Sequence, residues 1–303
     1  MLVSVLLVSG VRFRAEEVPT GTVSRSVPAS EWMVSVSWLA PRLKDPKILV
    51  VDSRTQEEYA KGHIPGAVHL NLNDLAFRSS DTGLTSTHEK LAAAFSLLGL
   101  SGEETVVFYD DTTELRAPRT LWLLSYAGYA RAKMLFGGLH AWQSAGQSVT
   151  ANAARRSPAP FVVEAKPAIL ATTEYVARRV RDLSTIILDV RSLEEYQGRN
   201  GSSHCARNGR IPGAVWLKWT ELLDERLTYK EIDELQKQLF GAGITPAKEI
   251  IVYSHNGSRS ANTFYALQLL GFPRVRHYAG SWHEWASRLD LPVERTEPQQ
   301  DVR

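Results

Sequence analysis

A six-residue stretch, Ser254-His255-Asn256-Gly257-Ser258-Arg259, separates an apolar run over Glu249–Tyr253 from a helical pattern over Thr263–Leu270. A short loop entering a helix aims several backbone N–H groups at one spot. Together with the helix dipole they form a cradle for an anion. Gly257 gives the backbone angles that other residues resist, and Arg259 adds positive charge. A thiol in such a cradle ionises below its usual pKa of about 8.5, and the thiolate attacks sulfur. This loop holds an alcohol, Ser254, and no thiol. The sole cysteine, Cys205, lies in the segment QGRNGSSHCARN, residues 197–208. His204, Arg199, Arg207 and Arg210 surround it in sequence and are placed to lower its pKa. The alternative without chemistry is a surface thiol among solubilising arginines, and that segment offers no cradle. One cysteine excludes a disulfide within the chain and a cysteine-rich zinc site. The eight histidines show no metal-ligand spacing, so no metal and no cofactor is expected.

The elements that must position this loop occur twice. Residues 52–68 read DSRTQEEYAKGHIPGAV; DVRSLEEY at 189–196 and GRIPGAV at 209–215 repeat the pattern. Val107-Phe108-Tyr109 matches Ile251-Val252-Tyr253, and Phe136-Gly137-Gly138-Leu139 through Trp142 matches Ala279-Gly280-Ser281-Trp282 through Trp285. Four blocks in one order mean a duplicated domain of about 120 residues, the size of one compact core. Residues 48–52, 105–109, 133–136, 185–190, 249–253 and 275–278 are apolar on nearly every position, as strands buried on both faces are. Leu91, Phe95 and Leu98, and likewise Ile232, Leu235 and Leu239, recur at helical spacing. The alternation predicts an α/β fold with a mainly parallel sheet in each half. The expected division is an N-terminal extension over 1–30, domains over 31–150 and 167–295, a linker over 151–166 and a tail over 296–303. With 44% hydrophobic and 22% charged residues and a mean hydropathy of −0.20, the chain has material for two cores. Its formal net charge of +2 argues against nucleic-acid binding, and no run approaches a membrane span. A single thiol suits a cytoplasmic location. Apolar residues 1–15 read as an extension, or as part of a signal peptide in an exported alternative.

The D-x-R…EEY…IPGA block in both halves, the strand–loop–helix at 251–270 and the G-S-W-x-E-W ending at 280–285 resemble the rhodanese family. Their tandem arrangement resembles the two-domain sulfurtransferases. The resemblance implies a five-stranded parallel sheet in each half, a structural first copy and a catalytic second copy. It also implies a loop cysteine that moves sulfane sulfur from thiosulfate or 3-mercaptopyruvate to cyanide or a thiol acceptor. At the cysteine's position stands Ser254, and Asp110 stands there in the first copy. An alcohol ionises near the value for water, about 15.7, roughly seven units above a thiol. At about 1.36 kcal/mol per unit the gap is on the order of 10 kcal/mol. A persulfide also requires a sulfur atom. Three readings follow: an engineered replacement of a native cysteine, a natural anion- or partner-binding pseudoenzyme, or Cys205 as a substitute sulfur carrier.

On the same resemblance, His255, Asn256, Gly257, Ser258, Arg191, Arg199 and Arg207 join Ser254 and Arg259 as candidate site residues. The insert carrying Arg199 and Arg207 is expected at the mouth of the site. Asp189 and Arg191 end a strand where α/β proteins bind ligands. Asp52 and Arg54 repeat them in the half without expected chemistry, which favours a structural ion pair. Trp282 and Trp285 are expected either to wall the pocket or to fill the core. Lys90, Arg116 and Arg119 read as solvated helix charges. Arg259 suits a dianionic sulfonyl donor. Glu195 replaces the arginine that mercaptopyruvate enzymes carry after the D-x-R block, so thiosulfate is the favoured donor. A phosphatase loop would be one residue longer and would contain cysteine.

Overall fold

The computed structural model describes residues 31–72, 75–80, 83–112, 115–199 and 205–296. The readings of 1–30 as an extension or signal peptide, and of His204, lie outside these residues. The first sheet holds β1 (Met33–Val34), β2 (Ile48–Asp52), β3 (Val68–His69), β4 (Thr105–Tyr109) and β5 (Ala132–Leu135) in the order β1-β5-β4-β2-β3, all parallel. The second holds β6 (Thr185–Asp189), β7 (Val215–Trp216), β8 (Glu249–Tyr253) and β9 (Val275–His277) in the order β7-β6-β8-β9, also parallel. Four strands stand where the resemblance implied five. The counterpart of β1 shrinks to one parallel bridge between Leu170 and His277. The long strands are those expected from their apolar runs. The two-residue strands β1, β3 and β7 are too short for any period to reveal.

The repeated sequence blocks are joined by one hydrogen-bonded network in each half. Arg191 forks onto Asp189 at 2.6–3.2 Å and donates to the Gly209 carbonyl at 2.7 Å. The Tyr253 hydroxyl donates to Asp189 at 2.5 Å and accepts the Ile211 N–H at 3.3 Å. In the first half Arg54, Asp52, Gly62, Tyr109 and Ile64 make the same contacts. Tyr59 and Tyr196 tie the EEY helices to the Ala67 and Ala214 carbonyls. Those helices, α2 (Gln56–Lys61) and α7 (Leu193–Gln197), both start with a capping box. Burial of an ion pair demands such complete pairing. The D-x-R motif is therefore a clamp for the IPGA segment in both halves.

The two domains share one apolar core. A single cluster runs from Trp122 and Tyr126 in the first half to Phe264 and Leu267 in the second. Trp32 packs on Tyr265 at 4.9 Å, and Trp122 meets His277 edge-on at 4.5 Å. Two polar clamps complete the interface. The Glu284 carboxylate accepts the N–H and hydroxyl of Ser79 at 2.8 and 2.6 Å and the Ser80 N–H at 2.8 Å. Arg119, on α4 (Arg116–Tyr126), donates to the Asn256 carbonyl at 2.6 Å, the Ser258 hydroxyl at 3.0 Å and the Leu75 carbonyl at 2.6 Å. Arg119 is thus no solvated helix charge: it is buried and ends on the candidate loop. Arg116 is paired with Glu58. Segment 151–166 carries no helix or strand and lies along the first domain, with Glu164 and Lys166 N–H groups donating to Ala127 and Tyr126 carbonyls. Among the described residues no helix is long and apolar enough to cross a membrane. Glu284→Ala leaves two buried donors on Ser79 and the half-buried Ser80 N–H without their acceptor. It is expected to lower the unfolding free energy by about 2–4 kcal/mol in a urea titration.

Candidate functional site

Tyr253 closes β8 and the chain turns at Ser254. Helix α9 (Ser258–Leu269) begins five residues before the helical pattern that starts at Thr263, so Ser258 and Arg259 belong to its first turn. Gly257 caps it at φ 95°, and a Cβ there would meet the Ala279 carbonyl oxygen at 2.7 Å. Only glycine suits this place. Ser254 is fully buried. Its Oγ accepts the Gly257 N–H at 3.1 Å and lies 3.1 Å from the Ser260 hydroxyl. Its own N–H donates to the Ser281 hydroxyl at 3.1 Å, and that hydroxyl donates to the Tyr278 carbonyl at 2.8 Å. Ser281 opens α10 (Ser281–Ser287) at φ 55°, where the first copy has Gly138 at φ 54°. A side chain is therefore kept in a strained conformation because its hydroxyl anchors the peptide of residue 254.

The first copy displays what the loop does. Asp110 occupies the place of Ser254, and its carboxylate accepts the N–H groups of Leu115, Arg116 and Ala117 at 3.0–3.3 Å. The cradle of the first copy is filled by the chain's own anion. In the second copy the same place holds an uncharged hydroxyl.

Behind Ser254, the Ser260 hydroxyl also meets His277 Nε2 at 2.8 Å. This Ser-Ser-His chain was invisible in the sequence because Ser260 and His277 lie on separate elements. It is a poor proton relay. Burial, with help from the Arg119 charge, pulls His277 down to about 3. A base weakened in this way is poorly matched to take the proton of an alcohol. The chain orients the hydroxyls and does not create a hydrolase nucleophile.

Outside the loop, a cavity of about 510 Å³ opens between the domains, lined by Phe77, Arg78 and Arg119 from the first and His255, Asn256 and His283 from the second. Several candidate residues are not brought to it. Arg259 is held by Glu195 through two bonds at 2.7 and 2.9 Å, so its charge is compensated. Arg191 is buried in its clamp, with its guanidinium 4.7 Å above Trp282. Arg207 spends its guanidinium on the carbonyls of Trp285, Ala286, Arg288 and Leu291. Arg210 is paired with Glu294, and Arg199 is exposed. Cys205 does reach the loop, with its Sγ 3.7 Å from His255 Nδ1. Burial pushes its thiol up, against the expected lowering by neighbouring arginines; Arg191 only partly offsets this. Burial also lowers His255. Trp282 and Trp285 are core residues, each donating its indole N–H to a carbonyl. Sequence reasoning missed Arg119, His283 and Glu284; only the G-S-W-x-E-W ending at 280–285 pointed near the last two.

Burial opposes ionisation of Glu195, but Arg259 and the capping N–H groups outweigh it and bring the carboxyl from 4.5 to about 2. A depressed carboxyl contributes stability above its unfolded pKa and loses it as pH falls through the folded value. The urea midpoint is therefore expected to fall more steeply between pH 4.5 and 2 in the parent than in Glu195→Gln; parallel profiles would refute the pairing. Ser281→Ala loses the anchoring hydroxyl and keeps the strain, whereas Ser281→Gly loses both. The alanine variant is expected to be the less stable of the two by about 1–2 kcal/mol on urea unfolding.

Comparison with known proteins places this geometry. Rhodanese-like domains match residues 35–145 and 172–288. A thiosulfate sulfurtransferase of Pseudomonas aeruginosa is 35% identical over 265 residues, 86% of this chain and 96% of that protein. The crystal structure of SseA from Escherichia coli, a 3-mercaptopyruvate sulfotransferase, aligns with a TM-score of 0.71 at 30% identity, covering 83% of this chain and 98% of that one. An anaerobic ergothioneine biosynthesis enzyme from Chlorobium limicola, in complex with trimethyl histidine, aligns with a TM-score of 0.76 at 26% identity, over 90% and 71% of the two chains. Two duplicated parallel sheets, the linked D-x-R and IPGA blocks and these likenesses lead to one conclusion: the chain belongs to the rhodanese family, as a tandem pair of rhodanese-like domains related to thiosulfate and 3-mercaptopyruvate sulfurtransferases.

Proposed function

We propose that the second domain is a sulfurtransferase-type site for a small sulfur-bearing anion of the thiosulfate class, and that Ser254 disables its transfer step. The observation that carries this reading is the pair of loops. The first is filled by the Asp110 carboxylate, so the loop geometry accepts negative charge; the second presents its Gly257 N–H to a neutral Ser254 hydroxyl. In a sulfurtransferase of this family a cysteine thiolate would take that place. It would attack the outer sulfur of thiosulfate, release sulfite and become a persulfide anion. Cyanide or a thiolate would then remove the sulfur as thiocyanate or a new persulfide. The charges of Arg78 and Arg119 at the cavity outnumber that of the Glu284 carboxylate, which also lines it and is held by Ser79 and Ser80, and this balance favours an anionic donor.

Arg259 supports thiosulfate less than its position in the sequence suggested, because Glu195 already neutralises it. The choice of thiosulfate over 3-mercaptopyruvate therefore rests on the cavity charges and on Glu195 itself. The measurement is thiocyanate formation from thiosulfate and cyanide, with parent and Ser254→Cys chains compared. The parent is expected at background, and the cysteine form at least about a thousandfold higher, a fraction of the roughly 10 kcal/mol gap. A folded Ser254→Cys chain at background with both thiosulfate and 3-mercaptopyruvate would overturn the reading in favour of a binding module. An active parent whose turnover disappears in Cys205→Ala would assign the sulfur to Cys205.

A further inference from the structure

Three segments distant in sequence bring sulfur and nitrogen donors together beside the cavity. Cys205 Sγ lies 3.7 Å from His255 Nδ1, and with a ring nitrogen of His283 the donor atoms all lie within 4.8 Å of one another. In a tetrahedral zinc site, with Zn–S about 2.3 Å and Zn–N about 2.0–2.1 Å, a sulfur and a nitrogen ligand sit about 3.6 Å apart. The Cys205–His255 edge already has that length. Closing the third corner asks the His283 ring nitrogen, within 4.8 Å of the other two donors, to come to an edge of about 3.4–3.6 Å, and its ring is exposed while Cys205 and His255 are half-buried. Among the described residues this is the sole grouping of three such side chains.

The supporting backbone is cross-linked near each donor. The His283 N–H donates to the His255 carbonyl at 2.9 Å, and the Trp282 N–H to the Ser254 carbonyl at 3.0 Å. Arg207, two residues after Cys205, ties the insert to α10 and the segment after it through four carbonyls, and its own carbonyl accepts the Trp282 indole N–H at 3.1 Å. The apparent substrate arginine thus holds the thiol in place. The first domain offers a comparison: His140 N–H donates to the Asp111 carbonyl at 2.9 Å in the same arrangement, but that half has no insert and so no thiol. Sequence spacing does not gather these three side chains, because they come from three separate segments of the chain.

We propose that Cys205, His255 and His283 form a three-ligand site for a zinc-class divalent ion, with a fourth position open to the interdomain cavity. Thiolate and imidazole donors select zinc, cobalt or copper over magnesium or calcium. His255 and His283 both line the cavity, so the open position faces the space a donor anion would enter. The site is independent of any sulfur transfer at residue 254.

The test uses the full chain, stripped by a chelator and titrated with Co²⁺. Cys205 is the chain's sole cysteine, so a thiolate-to-cobalt band in the near ultraviolet reports it alone. One equivalent of tetrahedral Co²⁺, displaced by Zn²⁺, is expected. Cys205→Ser removes the thiolate band. His283→Ala weakens binding more than about tenfold, since even outer-shell partners cost about 10- to 100-fold. Circular dichroism of the metal-free variants establishes that they fold. An octahedral spectrum without the thiolate band, or equal affinity in the parent and both variants, overturns the proposal.

Discussion

The buried carboxylate–guanidinium–phenol network at the end of each central strand is the constraint on which the rest depends. Asp189, Arg191 and Tyr253 lie at the carboxyl ends of β6 and β8, and none is useful in isolation. The carboxylate is buried and must be matched; the guanidinium matches it and reaches across to the Gly209 carbonyl; the phenol bonds the carboxylate and receives the Ile211 N–H. Burial raises the Tyr253 phenol well above its ordinary pKa, and the adjacent Asp189 charge adds to the effect. The phenol therefore stays protonated, and the network fixes where the strand stops. Residue 254 follows directly. The loop begins at a place set by a polar network in the core.

That origin explains why the same motif serves both halves while the chemistry differs. Each half needs the clamp to seat its IPGA segment on its sheet. The loops beyond the clamp are free to diverge, one toward an internal carboxylate at Asp110, the other toward Ser254. The second domain adds an insert held by Arg207, and the first contributes Arg119 to the wall of its neighbour's loop. The site belongs to the pair of domains rather than to the second alone. Glu284 makes the same point: a carboxylate from the second domain is solvated by peptide N–H groups of the first, and this holds the cavity's two walls together.

Charge around the loop is balanced more tightly than a count of arginines suggests. Arg191, Arg207, Arg210 and Arg259 each have a partner that consumes the guanidinium. A guanidinium has five donors and carries a desolvation cost when buried without acceptors, so these arginines act as braces. Here the braces set the positions of His255, His283 and Cys205 beside the cavity.

Sequence alone determined the duplication, the parallel α/β architecture, the long strands and the loop with its missing sulfur. These are written as local patterns: apolar runs, capping residues, a glycine at a left-handed turn, and blocks repeated in order. Period and repetition survive without knowledge of three-dimensional contacts. Only the tertiary structure decided which arginines brace and which face the cavity, because a guanidinium can reach acceptors dozens of residues away. It alone placed Arg119 on the neighbouring domain's loop, and set Ser281 in a strained turn to anchor Ser254. It alone gathered donor atoms of Cys205, His255 and His283 within 4.8 Å of one another. Those outcomes depend on where separate elements dock, and docking follows from the shared core, to which no single segment of the sequence corresponds.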